Sequence, residues 1–148
     1  MNKPFIVSTI TTNDSGISVF DEIEFDVNQR GGMFLTDQIA SKNFRIRKSN
    51  AGYETNFHLA GDATFIVILK GSLKIALQNG DFKIFSSGDY FIAKDNLPEN
   101  IIFDSKIHGH KASVIGDESL KAIHIKLWFS RTEIWNLQPE ICKSKAQD

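Results

Sequence analysis

Four histidines, His58, His108, His110 and His124, carry most of the chemistry this chain can offer, because imidazole titrates near neutral pH and is the commonest side-chain metal ligand. His58 stands in a spaced framework, Gly52-x5-His58-x-Ala60-x3-Thr64-x6-Gly71. A mononuclear metal wants three or four nitrogen or charged oxygen ligands, and Ala60 and Thr64 are poor substitutes for them. The segment His108-Gly109-His110 can refill such a site, since residues i and i+2 of a strand share a face. With His58 it would make a three-histidine centre for a divalent iron, nickel, zinc or manganese ion. Without metal, His58 and His110 are a candidate acid and base for proton transfer. Arg45 and Arg47 share one face of a strand-like run, and a guanidinium there can clamp a carboxylate or phosphate. Plainer readings stand beside these: His58 as a hydrogen-bonded structural histidine, His108 as an exposed loop residue, and the two arginines as a solvated strand face. His124, opposite Ile123, Ile125 and Leu127, reads as structural.

The elements that must position these residues read as strands. From about residue 17 short runs rich in β-branched and aromatic residues are punctuated by turn residues, with weak helical periodicity throughout. Candidate strands cover Ile17 to Val27, Met33 to Ile39 and Phe44 to Arg47. Phe65-Ile66-Val67-Ile68-Leu69 is a continuous apolar run, as in a strand covered on both faces, and is the candidate central strand. Ser72 to Gln78 alternates, with Leu73, Ile75 and Leu77 on one face. Asn79-Gly80 predicts a type I′ hairpin into Asp81 to Phe85. Tyr90 to Ala93, His110 to Ile115 and Leu120 to Leu127 complete the set, and Asp95 to Ser105 is a longer loop of the sort that carries lids or binding residues. Ser130-Arg131-Thr132-Glu133 fits a capping box before Ile134, Trp135 and Leu137, so a short C-terminal helix is expected, ended by Pro139 and followed by a flexible tail.

A chain of 148 residues with 41% hydrophobic and 24% charged residues suits one globular domain. Twelve phenylalanines favour a β-rich core. A net charge of −1 with dispersed lysines and arginines argues against nucleic acid as a partner. Neither a signal-peptide core nor an apolar run of membrane-spanning length is present, so no membrane partner is expected and a cytoplasmic location is. Cys142 is the single cysteine and reads as a free, inert thiol.

The spacing resembles that of small single-domain cupins, whose first motif is G-x5-H-x-H-x3-E-x6-G and whose second begins G-x5-P-x-G. Here the first is met at Gly52, His58 and Gly71, with Ala60 and Thr64 in the second His and the Glu positions. The second is met at Gly80 and Gly88-Asp89, with Ser86 in the proline position. The likeness is strongest to short cupins with an arginine before the motif and an Asp, loop, Gly-His closing it, which map onto Arg47, Asp95 and Gly109-His110. The resemblance implies an all-β jelly-roll barrel, open at one end, with motif residues pointing into a pocket. On this reading residues 1–30 form a strand-forming arm that contacts a partner subunit, 31–129 the barrel, and 130–148 the short helix and tail. A homodimer is expected from edge-strand pairing or exchange of Ile17 to Val27. The expected function is binding of a small organic, anionic ligand, with isomerase, cyclase or lyase chemistry by His58 and His110. Arg47, Thr64 and Tyr90 are the expected ligand-binding residues, and metal binding falls to His58, His108 and His110. The alternatives are a non-catalytic ligand-binding module and a metal-dependent oxygenase.

Overall fold

The computed structural model describes residues 2–128, and among these the fold is all-β. Eleven strands follow in order: β1 (Phe5–Thr12), β2 (Ser18–Phe25), β3 (Asn28–Arg30), β4 (Met33–Leu35), β5 (Ser41–Ser49), β6 (Thr64–Lys70), β7 (Ser72–Leu77), β8 (Phe82–Ser86), β9 (Tyr90–Ala93), β10 (His110–Ile115) and β11 (Leu120–Leu127). The expected C-terminal helix and Cys142 lie outside the described residues. No helix among the described residues is long and apolar enough to cross a membrane.

A six-stranded sheet, ordered β2-β1-β9-β6-β11-β5, faces a three-stranded sheet, β10-β7-β8. This is the double-sheet jelly roll that the cupin resemblance implies. Between the sheets the alternation of each strand delivers apolar side chains from both sides. Ile10, Ile66, Ile68 and Phe91 come from the larger sheet, and Leu73, Ile75, Phe85 and Val114 from the smaller. Phe85 and Phe91 stack with ring centroids 4.2 Å apart. The larger sheet also buries part of its outer face, where Val7, Ile23, Ile92 and Leu127 form a second cluster with Phe65 and Ile125 against it, while Phe44 and Ile46 on β5 stay exposed. That explains the unbroken apolar run of β6: it is an interior strand between β9 and β11, with Ile66 and Ile68 inward and Phe65 outward.

Two elements depart from the sequence expectation. Within residues 1–30, β1 pairs antiparallel with β2 and parallel with β9. β1 itself escapes notice because its threonines look polar in sequence, yet Thr9 and Thr12 are buried and Thr12 Oγ1 donates to Asn96 O at 2.8 Å. The β7–β8 turn is not type I′, which needs positive φ at two residues. Only Gly80 has it, at φ 93°, while Gly80 N donates to Leu77 O and Leu77 N to Asp81 O. The geometry is a type I turn closed by a glycine bulge, the usual three-residue hairpin loop.

Gly109 decides how the site is assembled. Its φ is +85°, and a Cβ there would lie 2.5 Å from the carbonyl oxygen of His58. Gly116 has a similar φ of +83° with nothing within 4 Å of its would-be Cβ. Gly116→Ala is therefore expected to cost about 1–2 kcal/mol for the left-handed backbone alone. Gly109→Ala should cost roughly 2 kcal/mol more, because the neighbouring strand must also move. Paired chemical denaturation of the two variants measures the difference.

Candidate functional site

Between Ser49 and Ala60 the chain runs antiparallel to β10 without forming a regular strand. Gly52 N donates to Val114 O, Thr55 N to Ala112 O, and His58 and His110 exchange both backbone hydrogen bonds at 2.9 Å. Directly paired residues project to one side. The two imidazoles consequently stand side by side, with centroids 4.5 Å apart and planes tilted by 53°.

Each ring is held by its Nδ1. That of His58 donates to Asn56 O at 2.8 Å, and that of His110 to Asp95 Oδ2 at 2.7 Å. With Nδ1 as the donor in each, the neutral rings keep Nε2 as a free acceptor. Asp95 is fully buried, and its carboxylate is satisfied from three directions. Besides His110, Ser18 Oγ donates to Oδ2 at 2.7 Å and Ala60 N donates to Oδ1 at 3.1 Å. Ala60 thus serves the site through its backbone, although its side chain offers no ligand atom.

His58 and His110 line an interior cavity of about 70 Å³ together with the polar side chains of Arg47, Tyr53, Thr55 and His124. Ile66, Leu73, Ile75 and Phe91 form its apolar floor. The Arg47 guanidinium lies 5.5 Å from the centre of the Tyr53 ring, and its Nε donates to Ser49 Oγ at 3.1 Å. No carboxylate pairs with Arg47 among the described residues. Burial is the main force lowering the pKa of His58, with the charges of His110 and Arg47 adding to it. Burial also lowers that of His124, to about 4, helped by Arg47, Lys126 and Arg45.

The expected site residues divide. His58, His110 and Arg47 come together at the cavity. His108 does not join them. It is buried beside Gly16 and the Phe103 ring, and its Nδ1 accepts the Asp104 N–H at 2.9 Å. The i, i+2 rule assumes a pleated strand, and the positive φ at Gly109 breaks the pleat between the two histidines. Among the described residues no three His, Cys, Asp or Glu side chains are arranged to hold a metal ion. The side chains present therefore do not fit the three-histidine centre. Thr64 is tied up elsewhere, donating to Asp62 O and accepting from Lys126 Nζ. Tyr90 sits on the outer face, packed on Phe65 beside a separate apolar groove of about 340 Å³.

In the sequence Asp95 stands only as a position of the resemblance, Ser18 and Tyr53 carry no site signal of their own, and His124 reads as structural. Asp95 and Ser18 meet only through the fold, and β11 carries apolar residues on both faces.

Breaking one partner of a buried pair strands the other. Asp95→Asn is expected to destabilise the protein by roughly 3 kcal/mol, and Ser18→Ala by about 1 kcal/mol, both read by denaturant titration. Folded His58 and His124 bind protons less readily than in the unfolded chain, so the unfolded chain takes up more protons as pH falls through 6.5 toward about 4. Melting temperature should fall across that window, and His124→Gln should flatten the dependence. An unchanged slope in that variant would contradict the burial of His124.

No protein-family model matches the chain, and no curated protein sequence is significantly similar to it. Solved structures do resemble it. A cupin domain from Schizosaccharomyces pombe is 12% identical, with 92% of this chain and 90% of that one covered at a TM-score of 0.45. A cupin domain from Bordetella pertussis is 12% identical, covering 87% and 99% at 0.41. A cupin-2 domain protein from Shewanella frigidimarina is 19% identical, covering 61% and 78% at 0.39. At these values the likeness bears on neither ligand nor reaction.

Proposed function

We propose that the barrel interior binds a small organic ligand and moves a proton on it, as an isomerase, cyclase or lyase would. The observation that carries this reading is the buried Asp95–His110 pair set beside His58. A carboxylate bonded to Nδ1 fixes the ring orientation and stabilises the imidazolium that forms when Nε2 takes a proton. His110 is accordingly the base that removes a proton from carbon next to a carbonyl group. With a 2-hydroxycarbonyl ligand the same imidazolium returns the proton to the former carbonyl carbon while the ligand's hydroxyl proton passes, by way of His58 Nε2, to the former carbonyl oxygen, which completes an isomerisation without any other reactant. His58, neutral because burial lowers its pKa, is the second proton acceptor in the cavity. Arg47 orients an anionic group of the ligand through its unpaired guanidinium. The apolar floor excludes water, which strengthens each of these interactions.

The cavity's small volume favours a second reading, a module that binds the ligand without turning it over. A space of about 70 Å³ takes one functional group and leaves the rest of the molecule at the mouth. Solvent-deuterium exchange separates the two. Small hydroxy- and oxo-acids incubated with the protein in deuterium oxide should lose the proton next to the carbonyl, followed by proton NMR. His110→Gln should slow that exchange by roughly a hundredfold or more. Ligand broadening without exchange would replace catalysis by binding alone.

A further inference from the structure

Opposite the paired imidazoles, the face that β5 and β11 turn inward is cationic, with Arg47, His124 and Lys126 half-buried and Arg45 exposed at its edge. β5 and β11 pair in register, Arg47 against Ala122, Arg45 against His124 and Asn43 against Lys126. Residues two apart on each strand therefore bring Arg45, Arg47, His124 and Lys126 to a common face. Arg47 and His124 line the cavity. Arg45, Arg47 and Lys126 all act on His124 as positive charges. Among the described residues none of these three cations has an acidic partner. From β6, Ile66 and Thr64 face His124 and Lys126 with no charge, and across the cavity stand Tyr53, His58 and His110. Three like charges without a counter-charge repel one another in the protein alone, and an entering anion relieves all of them at once.

We infer that this wall is the subsite for a compact dianion of the phosphate-monoester class, clamped by Arg47 and His124 with Arg45 and Lys126 supplying the surrounding field. The inference rests on the cavity being a ligand site and adds the ligand's charged group. One compact group of charge −2 matches a single small cavity, whereas two separated carboxylates would need two clamps. Ser49, Tyr53 and Thr55 place hydroxyl groups on the same lining. Because binding and protonation are reciprocally linked, a bound dianion must make His124 easier to protonate, and its affinity must rise as His124 takes up a proton.

Sulfate is a suitable probe, being tetrahedral and doubly charged throughout the neutral and mildly acidic range. Histidine side-chain NMR of the full chain, recorded over a pH series with and without sulfate, should show saturable binding and His124 titrating about one unit higher or more when sulfate is bound. One unit corresponds to a tenfold gain in sulfate affinity once His124 is protonated. Arg47→Met should weaken sulfate at least tenfold at every pH, while His124→Gln should still bind it with a smaller pH dependence, the remainder coming from His58 in the same cavity. Succinate should bind more weakly than sulfate. Unaltered His124 titration at high sulfate, wild-type affinity in Arg47→Met, or tighter succinate binding would each overturn the inference. His110→Asn should keep sulfate binding while losing deuterium exchange, so that failure of the subsite and failure of the proton-transfer reading show up separately.

Discussion

The geometry of the interior hangs on one buried carboxylate. Asp95 has no contact with water, so it costs free energy unless each oxygen is bonded. Its bonds reach three distant parts of the chain: Ser18 at the start of β2, Ala60 after the segment beside β10, and His110 at the start of β10. Satisfying Asp95 therefore pins the N-terminal strands, the histidine-bearing segment and the smaller sheet to one point. Gly109 contributes the complementary requirement, leaving room for the His58 carbonyl where any side chain would collide. Together they set the two imidazoles 4.5 Å apart with both Nδ1 atoms occupied.

Around that fixed point the cavity is asymmetric. One side holds the imidazole pair, the floor is aliphatic and aromatic, and the opposite wall carries positive charge without acidic partners. Such a division suits a ligand with a charged end and a reacting carbon, since the charged end can be gripped away from the proton-transferring groups. The absent motif side chains are consistent with this division of labour: the Ala60 backbone bonds the carboxylate, and Thr64 bonds Lys126.

Much of this is legible in the sequence. The glycine framework, the bounds of β9, β10 and β11, and the alternation of β7 followed from spacing and period alone. His58, His110 and Arg47 were identified and do share the cavity. What failed had physical reasons. The i, i+2 rule put His108 with His110, but a left-handed glycine lies between them. Tyr90 was expected at the ligand yet lies on the outer face, and since the larger sheet carries apolar residues on both faces, period does not say which is inner. The same ambiguity hid His124, whose neighbours Ile123 and Ile125 made it look like an isolated polar residue in a core strand. The Asp95–Ser18 bond joins residues 77 apart in sequence, and no local pattern announces it.

Nitrogen-15 NMR of histidine-labelled protein near neutral pH tests the central claim most directly. The account requires His110 to carry its proton on Nδ1, with that proton shifted far downfield by the bond to Asp95 and slow to exchange with solvent. A His110 ring protonated on Nε2, or an Nδ1 proton exchanging freely with water, would contradict it.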